Sequence, residues 1–435
     1  MGNVLRLKKP VIAITGSAGK STTKEMVASV LATRWRIFKS VDNLNFFTHT
    51  RQYAKRIQPR HQAVVLEYGM SGAGHIKQHC LAIEPNYSVI TNIGSAHIGA
   101  FGGDVRKLAR AKSEIIRWMK PTGTVVLNKD DRNTSLIDKG RFHGRTVTVG
   151  INNSATYQAR SVRYSSAGMT FQVPLHGKTE QFTIPIYGRH HVYNALCAIA
   201  ISDLLGFSPQ QIRVGLRRYR RMQRRTTIHR FARNIVLIDD SYSSNPHAAK
   251  AAIDTLAQIG KGTKIAVLGS MRALGSYAGK GHREVGQYIA GKNISRLYTY
   301  GVLAKQIGTA AVKAGMPASH VIHFAKQDAL HRHLLSHLTA NTTILVKGSH
   351  AVRLMDTADL LKRRLGGKPL AASRKPAVRK QMTVRSQPLA GKSPSAKSAS
   401  GRRSVGQRRL STKSASRHPQ KTGVRAITKA LRKRK

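Results

Sequence analysis

The sequence predicts an α/β protein with a doubly wound, phosphate-loop unit followed by a second, Rossmann-like α/β unit. Two observations carry this. Aliphatic runs of strand length alternate with amphipathic stretches of helix length from Val11 to about residue 360, the rhythm of βαβ architecture. At Arg217–Arg225, where six of nine residues are arginine, that rhythm is interrupted and a second series then begins. The last 69 residues stand apart in composition.

In chain order, Val11–Thr15, Ala63–Glu67, Tyr87–Thr91 and Thr124–Asn128 are short and continuously apolar, as strands buried on both faces of a parallel sheet must be. Lys20–Leu31 places Met26, Val27, Val30 and Leu31 on one helical face. From about 146 to 186 the pattern turns to short alternating runs, Ala159–Tyr164 and Met169–Val173, split by Ser165–Gly168; these predict a small antiparallel insert. Val192–Leu205 resumes a helix. A second series of strands follows at Ile235–Asp239, Lys264–Leu268, Leu297–Tyr300, Val321–Phe324 and Thr343–Val346. The domains expected are therefore 1–220, 221–366 and a tail, 367–435.

Charge separates the tail from the body. The chain has 75 Lys and Arg against 18 Asp and Glu, a net +57. Residues 367–435 hold 21 of the cations, ten serines, no acid and no Phe, Tyr or Trp. Such a segment buries too little apolar surface to offset its ordering entropy and is expected to be disordered. Val424, Ile427 and Leu431 could share one side of a terminal basic helix lying on an anionic surface. The body keeps a surplus of +36, which favours acidic substrates. Two cysteines, Cys80 and Cys197, without CxxC spacing exclude a disulfide framework and a zinc ribbon. No apolar stretch approaches membrane-spanning length and the N-terminus lacks a signal-peptide core, so a soluble, cytoplasmic protein is expected.

The strongest local signal is Thr15-Gly-Ser-Ala-Gly-Lys-Ser-Thr-Thr23, placed after a strand and before a helix. Backbone N–H groups of Gly16, Ser17, Ala18 and Gly19, with the helix N-terminus, suit a polyphosphate. Lys20 would meet the β- and γ-phosphates, and the hydroxyl of Ser21 or Thr22 a Mg²⁺ ion. Ile14 stands where the general phosphate-loop spacing has glycine.

That shorter loop resembles the Mur ligase family, and the following Lys24-Glu-Met26 its D-alanyl-D-alanine-adding branch. Further segments resemble the family in the same order: Val65–Gly69 ("IELG"), Thr91–Gly102 ("TNVGxAHLExFG"), Ala111–Ile115 ("AKGEI"), Gly188–Ala195 ("GxHNxxNA"), Asp240–Pro246 ("DSYNANP") and Leu345–Ser349 ("LVKGS"). The resemblance implies an ADP-forming ligase that activates a carboxylate as an acyl phosphate and lets an amine displace phosphate. It implies ATP and two Mg²⁺ ions, with Ser21, Glu67, His97 and a carbamylated Lys112 as metal ligands. Lys20, Glu67, His97 and Lys112 would form the catalytic set. Asn194 would contact adenine, Arg225 and Asp240 would contact the nucleotide from the second domain, and Arg224 or Arg221 could replace Arg225. Asn43, Asn45, Asn245, Lys347 and Ser349 would lie on the substrate side. The partners implied are a UDP-linked peptide or other anionic acid and an amino acid or dipeptide, used by a monomer.

The resemblance has gaps. The chain opens almost at the phosphate-loop strand, without the N-terminal domain that holds the UDP-sugar in the family. The family's "NLNNxxG", "GANxxGE" and "GDMxELG" are Asn43–His49, Gly69–His75 and Gly269–Gly275 with several acids and small residues replaced, and the first Asn of "HNxxN" is His191. The nucleotide half thus matches better than the acceptor half. An amide ligase for another polymer, such as polyglutamate or cyanophycin, is the alternative within the enzyme class. A polyanion-binding P-loop NTPase is the alternative outside it, and the tail could touch nucleic acid, wall polymer or the inner face of an anionic membrane.

Overall fold

A computed structural model describes residues 4–366; the expectations for the basic tail and its terminal helix fall outside the described residues. The first half comprises β1 (Val11–Thr15), α1 (Lys20–Leu31), β2 (Ile37–Lys39), α2 (Phe47–Ala54), β3 (Ala63–Glu67), α3 (His75–Ala82), β4 (Tyr87–Ile90), α4 (Val105–Arg117), β5 (Thr124–Asn128), β6 (Arg145–Gly150) and β7 (Tyr157–Gln158). Next come β8 (Arg160–Ser165), β9 (Gly168–Leu175), β10 (Lys178–Ile184), α5 (Arg189–Leu204) and α6 (Pro209–Arg218). The second half holds β11 (Thr227–Arg230), β12 (Val236–Asp239), α7 (Pro246–Ile259), β13 (Thr263–Gly269), α8 (Ala278–Ala290), β14 (Arg296–Tyr300), α9 (Lys305–Lys313), β15 (Val321–Phe324), α10 (Gln327–Ser336), β16 (Thr342–Lys347) and α11 (Leu354–Leu365).

The first sheet runs β2-β3-β1-β4-β5-β6-β7 and is parallel throughout. Its central strands are buried along their whole length, which explains their unbroken aliphatic sequence. Strand order reverses beside β1, so the loops after β1, β3 and β4 open into one crevice, the place where such a sheet binds ligands. The second sheet runs β11-β12-β16-β13-β14-β15, with β11 the antiparallel edge.

The insert is smaller than its alternating sequence suggests. Residues 145–150 and 157–158 extend the parallel sheet, and the antiparallel piece is the three-stranded β8–β9–β10. β6 alternates because its first residues are exposed while Val147, Val149 and Gly150 are buried, so periodicity alone made it look like a hairpin strand. Phe171, Phe182 and Ile184 of the antiparallel piece share a buried cluster with Leu196 and Ile199 of α5 and with Ile12, Val89 and Val126 of the large sheet.

Helix ends follow local chemistry. Ser208 and Gln211 cap α6 reciprocally with Pro209 in its first turn, Asp104 caps α4 and Asn245 caps α7 ahead of Pro246. The arginine run is helical only to Arg218; beyond it the chain crosses to β11 with Tyr219 buried. One buried cluster joins the halves, including Ile98 and Phe101 from the first and Met271 and Leu274 from the second.

α6 crosses α1 at Gly215. A Cβ there would lie 2.4 Å from the Val30 Cα, and the Ser29 hydroxyl donates to the Gly215 carbonyl at 2.7 Å. Gly215→Ala must separate two backbones rather than move a flexible side chain, and is expected to cost about 1–3 kcal/mol, read as a lower thermal midpoint.

Candidate active site

Between the halves lies a cleft of about 520 Å³. The phosphate loop forms its floor. Gly19 enters α1 with φ 81°, and a Cβ there would strike the Asn194 Oδ1 at 2.4 Å, so both the backbone angle and the close approach of α5 require glycine. Asn92 braces the loop from β4's end: its carbonyl accepts from Ser17 N–H and its Oδ1 from Ala18 N–H, each at 3.0 Å. The first-turn amides of α1 have no intrahelical acceptor and face the cleft with the positive end of the helix.

The structure brings nearly all the sequence-derived residues to this cleft. Ser17, Ala18, Gly19, Lys20, Ser21, Thr22, Asn43, Asn45, Glu67, His97, Asn194, Arg225, Asp240, Asn245, Lys347 and Ser349 all line it. Gly16 lies behind the loop, where its carbonyl accepts from the Lys20 ammonium at 2.9 Å. Lys112 is buried on α4, close enough to raise the electrostatic cost of charge on His97. Of the competing arginines, Arg224 is paired with Asp359 at 2.8 Å, whereas Arg225 lies in the cleft, 4.4 Å from the Tyr242 ring centroid.

Several candidates are engaged with each other. Asp240 accepts from Lys347 at 2.7 Å and from the Thr226 N–H at 3.1 Å. Lys347 also donates to the Ser243 carbonyl. Ser349 accepts from the Arg272 N–H at 2.9 Å. Asn245 spends its Oδ1 on the cap of α7. Asn45 donates to Glu67 Oε1 at 2.7 Å, while Glu67 Oε2 is buried without a partner.

The cleft is short of anions. Among the described residues neither Lys20 nor Lys112 has a carboxylate within ion-pair distance. Burial lowers the Lys20 ammonium from its ordinary range, partly opposed by Glu67 and reinforced by Arg225. Burial, with the charge of Lys20, pushes Lys112 well down. His97 is held down to about 4 by burial and by both lysines, so its imidazole is neutral and able to ligate a metal. No three His, Cys, Asp or Glu side chains converge as a ready-made cage among the described residues. The orphaned Glu67 oxygen, the Ser21 hydroxyl and the neutral His97 nevertheless fit a hard cation that keeps some ligands for substrate phosphate.

Sequence reasoning missed Asn92, Thr226 and Tyr242 as site residues. Asn92 and Tyr242 sit inside motifs quoted for other members, and Tyr242 accepts a hydrogen bond from the Asn43 amide across the cleft. Thr226 carries no local signal; only the fold places it opposite α5.

Compared with known proteins, residues 14–202 match the Mur ligase middle domain and residues 220–350 the Mur ligase glutamate ligase domain. A UDP-N-acetylmuramoyl-tripeptide--D-alanyl-D-alanine ligase of Bacillus subtilis is 32% identical over 345 residues, 79% of this chain and 74% of the relative. A MurF from Acinetobacter baumannii superposes with a TM-score of 0.74 at 28% identity, covering 81% of this chain and 76% of that one. A MurF from Thermotoga maritima in complex with ADP shares the fold, with a TM-score of 0.71 at 22% identity, over 82% of this chain and 80% of that one.

His79 supports the wall behind Glu67. It is fully buried, stacks on Tyr68 at 4.5 Å, donates from Nε2 to the Gly69 carbonyl and accepts at Nδ1 from Thr50. Burial holds it down to about 4. The unfolded imidazole titrates near 6.5, so between pH 6.5 and 4 only the unfolded chain takes up this proton. Stability is therefore full above 6.5 and falls as pH drops through that window, by up to about 3 kcal/mol from this group. Denaturant melts at pH 7 and 4.5 are expected to show a smaller acid loss for His79→Gln than for the unsubstituted chain.

Proposed function

The chain belongs to the Mur ligase family, and we propose that it joins D-alanyl-D-alanine, or a closely related amine, to the free carboxylate of a UDP-linked muramyl peptide at the expense of ATP. The observation that carries this reading is the single cleft shared by the phosphate loop of the first half and Arg225, Asp240 and Lys347 of the second. A nucleotide seated there touches both halves, so the site is complete only when they are closed on each other.

The chemistry follows from what the residues can do. A carboxylate oxygen of the acid attacks the γ-phosphorus and ADP leaves. The amine then attacks the acyl carbon, inorganic phosphate leaves, and the nitrogen gives up a proton as the amide forms. Lys20, the α1 amides and Arg225 stabilise charge on the phosphoryl oxygens without reorganising, which is where the rate gain of such a transfer comes from. Ser21, Glu67, His97 and Lys112 would hold Mg²⁺, which when bound neutralises phosphate charge.

Lys112 becomes an anionic oxygen ligand by adding CO₂: its neutral amine forms the N–C bond and releases a proton. Its lowered proton affinity supplies that neutral amine, and the cations beside it favour the resulting carbamate. Asn43, Asn45, Asn245 and Ser349 face the acid and the amine. We propose further that the basic segment 367–435 holds the enzyme, a monomer, against an anionic surface at the inner face of the membrane, where each Lys or Arg adds about 1 kcal/mol.

Purified protein given ATP, UDP-muramoyl tripeptide and D-alanyl-D-alanine is expected to release phosphate only when acid and amine are both present. Lys20→Ala should lower that rate by at least about 10³-fold. Phosphate release that ignores both substrates, or that responds to polynucleotide instead, would overturn the proposal. Removing CO₂ from the buffer should slow the enzyme and bicarbonate should restore it; Lys112→Ala should be slow under both conditions.

A further inference from the structure

A chain of hydrogen bonds crosses from the phosphate-loop helix to the second half, and His191 is its middle link. Thr23 Oγ1 donates to Asn194 Oδ1 at 3.2 Å, and Asn194 Nδ2 donates to His191 Nδ1 at 3.1 Å. An amide nitrogen cannot accept, so Nδ1 is the acceptor and the ring proton sits on Nε2. His191 Nε2–H then donates to Thr226 Oγ1 at 3.4 Å. The Thr226 N–H continues to Asp240 Oδ1 at 3.1 Å, and Lys347 holds the other carboxylate oxygen at 2.7 Å. His191, Asn194 and Thr226 are all buried, and all three border the cleft.

A second, independent observation is backbone strain. Thr226 has φ 51° and Arg224 φ 57°, on either side of Arg225. A β-branched residue in the left-handed region is a true outlier, which persists only where its surroundings over-determine it. At Thr226 the surroundings are the His191 ring on its hydroxyl and the Asp240 carboxylate on its N–H. Release of the hydroxyl leaves the strained residue free to relax, and Arg225 is its neighbour.

We propose that His191 is a positioning residue that clamps the nucleotide side of the cleft, fixing Arg225 and Asp240 against the phosphate loop. The motif that this segment resembles carries asparagine at the same place. Asparagine could still meet Asn194, but it has no second ring nitrogen to reach Thr226. The link to Thr226 thus depends on the histidine that stands where the motif has asparagine. The inference rests on the cleft being an ATP site.

The test uses the full chain and a non-hydrolysable ATP analogue, with binding measured by calorimetry and turnover by phosphate release. His191→Asn and Thr226→Val are each expected to weaken analogue binding about 5- to 10-fold, the loss of one buried hydrogen bond. The KM for ATP should rise in step, and kcat should fall as well, because the loosened Arg225 also stabilises charge on the transferring phosphoryl group. Thr226→Ser, which keeps the hydroxyl, should bind like the unsubstituted chain. The double variant should bind no worse than the weaker single one, because both cut the same link.

Additive losses in the double variant, or equal binding by Thr226→Val and Thr226→Ser, would overturn the clamp while leaving the ATP site standing. No analogue binding by the unsubstituted chain would bring down the ATP site, and the clamp with it. If His191→Asn fails to fold, the Thr226→Val and Thr226→Ser pair alone decides.

Discussion

The site is organised around positive charge that the protein does not neutralise. Lys20 and Lys112 approach each other beneath the cleft, and among the described residues neither has a carboxylate within ion-pair distance. Glu67 is the nearest answer to Lys20, and half of its carboxylate is left without a partner. Buried cations are costly unless paired. Here the cost shows as lowered proton affinity at both lysines and at His97. A triphosphate with its cation, and the proposed carbamate on Lys112, would supply the missing negative charge. The same deficit therefore favours the nucleotide and the modification, and a cation only in their company.

The second half answers that deficit differently. Asp240 and Lys347 neutralise each other at 2.7 Å, and Arg225 lies over Tyr242 rather than against a carboxylate. Charge on this wall is already balanced or held by an aromatic face, so what the second half adds is placement more than potential. Placement demands a fixed distance between the halves. The Asn43–Tyr242 bond, the Gly99 N–H to Ala273 carbonyl bond at 3.2 Å and the His191–Thr226 bond all span that gap.

Much of this was legible in the sequence, because the signals were local. The strand–loop–helix of the phosphate loop, the continuous apolar strands, and the placement of Glu67 at the end of β3 and of His97 beyond β4 could each be read from nearby residues. α1 begins and ends at Lys20 and Leu31, as its pattern requires. What escaped was either short or non-local. β2 has three residues beside exposed cations, too few to show a period. β6 imitated a hairpin strand because an exposed end produces the same alternation. Thr226 and Asn92 act through partners 35 and 74 positions away, a relation that no window along the chain contains.

The structure also sorts the departures from the family's acceptor motifs, which look alike in sequence. Ser270, where the motif has aspartate, is buried and accepts from the Ala304 N–H at 3.0 Å, so it belongs to the turn after β13. His75, where the motif has glutamate, accepts from the Ser71 N–H and packs on Phe47 outside the cleft. His191 borders the cleft and accepts from Asn194. Those that do reach open cleft are Phe46, half exposed, and Ala273, beside Arg272 at a position the motif leaves open. An aromatic ring and a guanidinium that has no ion pair among the described residues border this side of the cleft. The replaced positions that reach the cleft thus put an aromatic ring and a methyl group where the motifs have amide and acid. On the proposed function, the Arg272 guanidinium beside them would favour a substrate anion over a substrate ammonium on this side of the cleft.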